Sequence, residues 1–389
     1  MEETNDIILF SALDWGLGHT TRSIPLLTFF NENGYQLLIA VQPATASEKI
    51  LQRHFPDAIF LPLKGYCIRY AKKRSFFALK IFFQIPKILA AIRREHRFVK
   101  ETVRSYPIKM ILSDNRYGFY HKSVHSVFMT HQLRIAAPFS WLEATIQQIN
   151  YNYIQRFDEL WIPDLKGELN IGGALSHPGK MPPGVSAHYL GPLSRLSLLD
   201  RADTDKSMPV HSLKYLFLLS GPEPQRSILE KRLLEAAHRL TGKTILIRGL
   251  PAEASTPVYQ TSEIKSGANG LTVIPYADPD TLNRLLQKAE YVVCRAGYST
   301  IMDLLILGKK GIYIPTPGQT EQQYLAKRLM QQQWGFCFEQ EEADYISLLE
   351  KADTFNYILP KLETMDVRQH LTHTAKLGNQ LKRSNHLIR

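Results

Sequence analysis

Short apolar runs, each followed by a polar or glycine-containing turn, recur along the chain. In the first half they cover Ile7 to Ser11, Gln36 to Val41, Lys109 to Ser113 and Ser126 to Met129. Apolar runs of about four to eight residues between turn signals are typical of buried strands, and the longer segments between them have room for helices. The pattern predicts an α/β fold with a doubly wound parallel sheet.

A second series of strands begins after a stretch that disfavours helix. Residues 172–192 are rich in glycine and proline, which favour turns. Further strands are then predicted at Lys214 to Leu219, Thr244 to Arg248, Leu271 to Ile274, Tyr291 to Val293 and Gly311 to Ile314. A chain of 389 residues also exceeds the usual size of one core. We predict two domains facing across a cleft, residues 1–193 and 194–366, with a helix over 367–389.

The cysteines and the apolar segments indicate the compartment. Cys67, Cys294 and Cys337 are widely spaced, which argues against a disulfide framework or a CxxC metal site. The acidic N-terminus, Met1 to Asp6, does not resemble a signal peptide, and no apolar run approaches transmembrane length. We expect a cytoplasmic protein, soluble or peripheral to a membrane.

The net charge of +11 is concentrated in one segment. Twelve Lys and Arg against two Glu fall between Lys64 and Arg104, interspersed with two Phe-Phe pairs. This mixture favours an anionic membrane surface over nucleic acid, for which polar base-reading side chains are also expected. We predict that Arg69 to Arg97 docks on anionic lipid on the inner face of the cytoplasmic membrane. The alternative is a core helix with solvated basic residues on its outer face.

The segment from Tyr291 to Gly308 predicts a short strand, a tight turn and a helix. The N-terminus of a helix presents unpaired N–H groups and the positive end of the helix dipole, which together bind anions. Gly297 lets the backbone approach a phosphate closely, and the hydroxyls of Ser299 and Thr300 can cap the helix or bond phosphate oxygens. The turn is therefore a candidate diphosphate site.

Charged and amide side chains surround this turn. Arg295 can supply positive charge, and Asp303, one helical turn further on, can accept hydrogen bonds from both hydroxyls of a ribose. Glu321 and Gln322 open the helix after the next strand, where adjacent acceptor and donor groups suit paired sugar hydroxyls. Together these residues predict a sugar-nucleotide site.

This stretch of roughly thirty residues resembles the donor-binding signature of GT-B glycosyltransferases, both the family 28 enzymes that form lipid II and the plant-type UDP-glycosyltransferases. The resemblance assigns the diphosphate to Arg295, Gly297, Ser299 and Thr300, the ribose to Asp303, and the sugar hydroxyls to Glu321 and Gln322. It also implies that the C-terminal helix packs back toward the first domain.

A glycine loop, Gly16-Leu17-Gly18-His19, follows the first strand, with a helix predicted from Ile24 to Phe30. The third glycine of a dinucleotide fingerprint is missing, and no acidic residue ends the second strand, so we expect no Rossmann cofactor. His19 matches the acceptor-activating histidine of GT-B enzymes, with Gly16 and Gly18 on the acceptor side. A purely structural histidine is the alternative.

A histidine base works better when a carboxylate orients its other ring nitrogen. Asp114 ends a predicted strand at the same edge of the sheet, and plant-type glycosyltransferases carry an orienting aspartate at a similar place. An Asx turn is the alternative role for Asp114. Asp14, just before the glycine loop, competes for the orienting or the base role.

Four further sites follow from the resemblance. Residues His131 and Gln132 are similar to an acceptor-cleft motif of the lipid-II-forming family, although the motif's glutamate is absent. Arg195 matches an interdomain arginine that reaches the donor diphosphate. The family's next glycine-rich turn also binds diphosphate, but here prolines at 222 and 224 lack N–H groups, so only Ser220 and Gly221 carry over. Tyr276 lies where relatives hold the uracil.

The predicted function is an inverting, cytoplasmic, membrane-associated glycosyltransferase that takes a UDP-sugar as substrate and uses no cofactor. Its acceptor is expected to be a lipid-linked or other cell-envelope hydroxyl. Because no DxD-type carboxylate pair occurs at a plausible site, we expect no metal. A nucleotide-sugar hydrolase shares the GxGHxxR arrangement of Gly16 to Arg22, a UDP-sugar 2-epimerase has a similar fold, and a binding protein that has lost catalysis is the non-enzyme alternative.

Overall fold

The computed structural model describes residues 6–14, 16–66, 84–135, 140–197, 213–250 and 270–362, without the side chains of residues 140–142 and 197. Two sheets form within these ranges, one in each half of the chain, and neighbouring strands in both are parallel. The predicted pair of doubly wound domains is confirmed.

The first sheet contains seven strands in the order β3-β2-β1-β4-β5-β6-β7. They are β1 (Ile7–Ala12), β2 (Gln36–Val41), β3 (Ile59–Pro62), β4 (Ile108–Asp114), β5 (His125–Met129), β6 (Glu159–Ile162) and β7 (Ser186–Tyr189). The strand order reverses between β1 and β4. Ligands in open α/β sheets bind beyond the carboxyl ends of the strands at such a reversal.

The second sheet contains six strands in the order β10-β9-β8-β11-β12-β13. They are β8 (Leu213–Leu218), β9 (Thr244–Ile247), β10 (Leu271–Ile274), β11 (Ala289–Cys294), β12 (Lys310–Tyr313) and β13 (Gly335–Cys337). Its order reverses between β8 and β11, which repeats the arrangement of the first sheet. Each domain therefore has one expected ligand edge.

The helices of the described residues alternate with these strands. In the first domain they are α1 (Leu17–Glu32), α2 (Ala46–His54), α3 (Ile85–Ser105) and α4 (Ser140–Ile154). In the second they are α5 (Gln225–Ala237), α6 (Pro279–Lys288), α7 (Tyr298–Ile306), α8 (Thr320–Gln331) and α9 (Tyr345–Thr354).

The central strands are continuously apolar because helices cover both faces of each sheet. Ile8, Leu9 and Phe10 of β1 are fully buried, as are Val292 and Val293 of β11. Buried side chains of the two domains also form one continuous apolar cluster. This packing places α1 of the first domain against α7 of the second.

The two sheets lie on either side of the boundary predicted between residues 193 and 194, and the domain limits themselves stay a prediction. The predicted helix over residues 367–389 lies outside the described residues. So does the part of the basic segment that holds both Phe-Phe pairs, residues 67–83.

The described part of the basic segment is the amphipathic helix α3. Its inner face buries Ala91, Ile92 and Val99, while Arg93 and Arg97 are exposed. The outer face also exposes Lys100 and Arg104. This part of the segment therefore packs as the core-helix alternative expected, and it keeps a basic outer face. Across the described ranges, every helix is too short or too polar to cross a membrane.

Candidate active site

The two strand-order reversals face each other, and the candidate site residues gather between them. In the first domain, α1 follows β1 and Asp114 is the last residue of β4. In the second domain, α7 follows β11 and the Ser220-Gly221 turn follows β8. Gly18 of α1 approaches α7 so closely that a Cβ atom added to it would lie 2.3 Å from Ser299 Oγ.

Helix α1 begins at Leu17, seven residues before the predicted start at Ile24, so His19 lies in the first helical turn rather than in a loop. Gly16 makes this early start possible because it caps the helix with a φ of 129°, a conformation that favours glycine. The polar residues that suggested a loop instead make tertiary hydrogen bonds. Thr20, for example, bonds Ser47 of α2 at 2.9 Å.

The side chain of Asp114 lies beside His19, with His19 Nδ1 3.0 Å from Asp114 Oδ1. Arg22 clamps the same carboxylate: its Nε donates to Oδ2 at 2.9 Å, and its Nη2 donates to Oδ1. Asp114 is fully buried. Burial alone would raise its pKa, but the Arg22 guanidinium and the His19 ring hold the pKa well below its usual range. The carboxylate therefore stays ionised next to the histidine.

The geometry separates the two candidate orienting aspartates. Asp14 Oδ1 accepts a hydrogen bond from the backbone N–H of Tyr66 at 3.1 Å and lies 4.0 Å from Arg116. Asp114, by contrast, turns both oxygens to side chains of α1. Of these two aspartates, Asp114 is the one that contacts His19, and its carboxylate is not used to close an Asx turn.

His131 lies at the boundary between the domains. Its Nδ1 is 2.7 Å from Arg22 Nη1, and its Nε2 is 2.9 Å from Glu321 Oε1 at the start of α8. The ring stacks on Tyr298 with centroids 4.0 Å apart. Gln132, the other predicted acceptor-cleft residue, is partly buried and bonds Thr130 Oγ1 through its backbone N–H at 3.0 Å.

The N-terminus of α7 forms the opposite wall. Gly297 is its N-cap residue, with an extended backbone, and Ser299 and Thr300 lie in the first turn. All three are partly exposed. Because α1 also begins here, the positive ends of two helix dipoles meet, an arrangement that an anion between them stabilises.

Asp303 lies behind this turn with a cluster of polar partners. Ser194 Oγ donates to Asp303 Oδ1. Burial raises the pKa of Asp303 to about 6, an effect partly offset by the Ser194 hydrogen bond and the nearby Arg195 charge. Within the described chain, Arg195 Nε is buried without a hydrogen-bond partner. Tyr276 is close enough for the Arg195 charge to lower its pKa, although burial dominates and raises it.

Arg295 does not supply charge to this wall, contrary to the sequence prediction. It is only 2% exposed, and its guanidinium donates to the carbonyls of Ile314 and Pro315 and to Gln340 Oε1. Another bond goes to the carbonyl of Gln225. Arg295 therefore ties together the loops that follow the strands, and burial lowers its pKa to about 10.

The remaining donor-side candidates lie at the same edge. Ser220 and Gly221 are exposed in the turn after β8, and Gly221 has a φ of 98°. Gln322 is buried, and its Oε1 accepts a hydrogen bond from the backbone N–H of Thr316 at 2.8 Å. Glu321 is partly exposed, with 18% of its side chain accessible.

Comparisons with known structures agree with the two-domain fold. The glycosyltransferase of kitacinnamycin superimposes with a TM-score of 0.63 over 98% of this chain and 99% of its own, at 12% identity. MurG of Acinetobacter baumannii superimposes with a TM-score of 0.52 over 97% and 99%, at 16% identity. The fold is GT-B.

Sequence comparison refines this GT-B assignment for the second domain. Residues 229–381 match the glycosyltransferase family 28 C-terminal domain. A stretch of 105 residues, 26% of this chain, is 34% identical to the UDP-N-acetylglucosamine–N-acetylmuramyl-(pentapeptide) pyrophosphoryl-undecaprenol N-acetylglucosamine transferase of Rickettsia felis. That match spans only 28% of the relative's length. The resemblance to GT-B enzymes of family 28 is confirmed.

Three residues of the GT-B cleft were not assigned from the sequence. Arg22 appeared only as part of a glycine-loop pattern, Tyr298 as a spacer in the donor motif, and Ser194 as a neighbour of Arg195. Each of the three contacts a residue more than 100 positions away in the sequence: Arg22 and Tyr298 contact His131, and Ser194 contacts Asp303. No local pattern reports such contacts.

Proposed function

We propose that this protein is an inverting, metal-independent glycosyltransferase that moves a sugar from a UDP-sugar to a hydroxyl of a lipid-linked or other cell-envelope acceptor. The observation that carries the proposal is the contact of His19 on α1 with Asp114 at the end of β4, one residue along α1 from the point where Gly18 meets Ser299 at the N-terminus of α7. A base and an anion site on opposite walls of one cleft suit an acceptor hydroxyl and a nucleotide diphosphate.

The reaction is a single displacement. The acceptor oxygen attacks the anomeric carbon while the bond from that carbon to the diphosphate oxygen breaks, and the hydroxyl proton passes to His19. Asp114 holds the ring through Nδ1 and stabilises the imidazolium that forms. One displacement inverts the anomeric configuration.

The departing UDP needs positive charge that is already in place. The N–H groups at the start of α7, the hydroxyls of Ser299 and Thr300, and the guanidinium of Arg195 can supply it. Among the residues that the structure describes, Arg195 Nε has no hydrogen-bond partner, so its N–H is not committed to another group. Asp303 would receive the ribose, Tyr276 the base, and Glu321 and Gln322 the sugar hydroxyls.

The donor class is drawn from the relative of Rickettsia felis, whose name contains UDP-N-acetylglucosamine and an undecaprenol-linked acceptor. A lipid-linked acceptor also suits the basic outer face of α3, since interfacial attraction is worth about 1 kcal/mol per basic residue near an anionic surface. We therefore place the protein in the cytoplasm, at the inner face of the cytoplasmic membrane.

A nucleotide-sugar hydrolase is the second candidate, because Arg22 of the GxGHxxR arrangement contacts the orienting carboxylate directly. In that reaction His19 would take its proton from water. UDP would be the leaving group in this reaction too, so the donor side would need to stabilise the same negative charge.

UDP release from UDP-N-acetylglucosamine and UDP-glucose, measured with and without an undecaprenyl-linked or glycolipid acceptor, tests the proposal. Release that requires the acceptor and fails in His19→Ala supports the transferase. Equal release without acceptor identifies the hydrolase. Binding of UDP-sugar with no release under either condition would leave a binding protein and overturn the proposed catalysis.

A further inference from the structure

A chain of buried and partly buried polar contacts crosses from the first domain to the second. Asp114 is bonded by Arg22, Arg22 Nη1 lies 2.7 Å from His131 Nδ1, and His131 Nε2 lies 2.9 Å from Glu321 Oε1. Arg22 and His131 are 2% and 5% exposed. The chain therefore links the proposed catalytic pair to the carboxylate proposed to hold the donor sugar.

The donors in this chain determine the protonation of His131. A guanidinium only donates hydrogen bonds, so His131 Nδ1 accepts from Arg22. The ring proton of the neutral imidazole is then on Nε2, which donates to Glu321. Burial lowers the pKa of His131, against the opposing effect of Glu321. The neutral tautomer thus satisfies both neighbours at once.

The ring of His131 also has a fixed orientation. It stacks on the Tyr298 ring at 4.0 Å with an interplanar angle of 17°. Tyr298 is itself held, because its hydroxyl donates to the carbonyl of Pro163 in the first domain at 2.8 Å. Both rings are buried, so the Nε2–H direction toward Glu321 is set by packing as well as by hydrogen bonds.

We propose that His131 is a positioning residue for Glu321: it fixes the rotamer in which this carboxylate meets the donor sugar and ties that contact, through Arg22, to the His19–Asp114 pair. The inference rests on the proposed function. With Oε1 occupied by His131, Glu321 presents its other oxygen to a single sugar hydroxyl. His131 thereby contributes to sugar selection without touching the sugar.

The key variants are His131→Phe, which keeps a ring for stacking on Tyr298 but loses both hydrogen bonds, and His131→Gln, whose amide can accept from Arg22 and donate to Glu321. His177→Phe is the matched control, because His177 also stacks on a tyrosine, Tyr189, at 4.6 Å. Calorimetry measures the affinity for UDP, UDP-N-acetylglucosamine, UDP-glucose and UDP-galactose. The difference between each UDP-sugar and UDP gives the contribution of that sugar to the binding free energy. Thermal unfolding monitors the fold.

In His131→Phe we expect UDP affinity to stay unchanged and the added affinity from the preferred sugar to fall by about ten- to a hundredfold, the worth of a charged hydrogen bond. Preference between epimeric donors should shrink as well. His131→Gln should retain most of both, and His177→Phe should match wild type. Combining His131→Phe with Glu321→Gln should cost little more than either change alone, because both act on one contact.

Three results from the variants overturn the inference. In the first, His131→Phe keeps the wild-type affinity for the sugar and the wild-type preference between epimeric donors. Another is additive loss in the double variant. The third is an equal loss of UDP and UDP-sugar affinity, which indicates a structural role only. A wild-type protein that binds UDP but gains nothing from any sugar overturns the positioning role alone, whereas one that binds no UDP overturns the proposed function too.

Discussion

Gly18 and Ser299 meet across the domain boundary, where a Cβ atom on Gly18 would come within 2.3 Å of Ser299 Oγ. The first residue belongs to the opening turn of α1 and the second to that of α7. Absence of a side chain at residue 18 thus sets how closely the two helix N-termini approach. This contact is one of those that set the relative position of the proposed base and the proposed diphosphate site.

Gly18→Ala should therefore weaken UDP binding while leaving the fold intact. The new methyl group displaces the Ser299 hydroxyl, which can rotate away at little cost in stability. After this rotation the hydroxyl no longer donates a hydrogen bond to a phosphate oxygen. We expect a decrease of about 1 kcal/mol in UDP binding free energy by calorimetry. Gly179→Ala is the control, since a Cβ there meets nothing within 4 Å. Wild-type affinity in Gly18→Ala would place the phosphate elsewhere.

His19→Ala should lower turnover by roughly 10² to 10⁴ without changing UDP affinity, because general base catalysis contributes that much and His19 lies on the acceptor wall. Steady-state kinetics together with calorimetry for UDP measure the two quantities. Turnover equal to that of wild type would eliminate His19 as the base.

Asp114→Asn should lower both turnover and stability. Besides contacting His19, the buried Asp114 carboxylate neutralises Arg22, which is 2% exposed. Breaking a buried ion pair costs about 3 kcal/mol or more of unfolding free energy. Urea unfolding at neutral pH measures this loss of unfolding free energy.

The pKa of Asp114 is depressed in the folded protein. The stabilisation that the carboxylate contributes is therefore present above the unfolded pKa and is lost as the pH falls below that value. An unchanged unfolding free energy would contradict the buried pair.

UDP affinity should fall as the pH drops through about 6, the pKa to which burial raises Asp303. The ribose hydroxyls need an ionised carboxylate as acceptor, which is present above that pH and lost below it. Protonation of Asp303 should weaken UDP binding but stabilise the fold. A raised carboxyl pKa means that the native state binds the proton more tightly than the unfolded chain does.

Calorimetry with UDP between pH 5 and 8, as an approximate range around that pKa, checks this prediction, with Asp303→Asn as the comparison. The variant should bind more weakly by about 1 to 3 kcal/mol at neutral pH and show a flatter pH dependence. A variant that keeps the wild-type pH profile would show that Asp303 is not the titrating group.

Reversing the charge of α3 should weaken binding to anionic vesicles. Arg93, Arg97 and Lys100 are exposed on its outer face, and their joint replacement by glutamate removes about 1 kcal/mol of interfacial attraction per residue. Vesicle sedimentation should show salt-sensitive binding of wild type to anionic but not neutral liposomes. The same reversal at Lys231, Arg239 and Lys243, exposed in the second domain, is the control. If neither anionic nor neutral vesicles bind the protein, α3 is simply a core helix and a soluble acceptor is the better candidate.

The strands and the donor turn follow from the sequence because their information is local. The runs at Gln36 to Val41 and Leu271 to Ile274 coincide with β2 and β10 residue for residue. A strand, a glycine and a helix in succession likewise predicted the N-terminus of α7. Burial on both faces demands a continuous apolar run, and a tight turn demands glycine, so such elements can be recognised within about ten residues.

Tertiary structure alone decided which side chains act together. Asp114 rather than Asp14 meets His19 across 95 positions of sequence, and His131 meets Glu321 across 190. Arg295 had the charge and the spacing expected of a phosphate ligand, yet backbone carbonyls of distant loops take its guanidinium. A charged side chain bonds whichever partners the packed fold brings within about 3 Å, and that choice depends on how the two sheets and their helices fit together rather than on the neighbouring sequence.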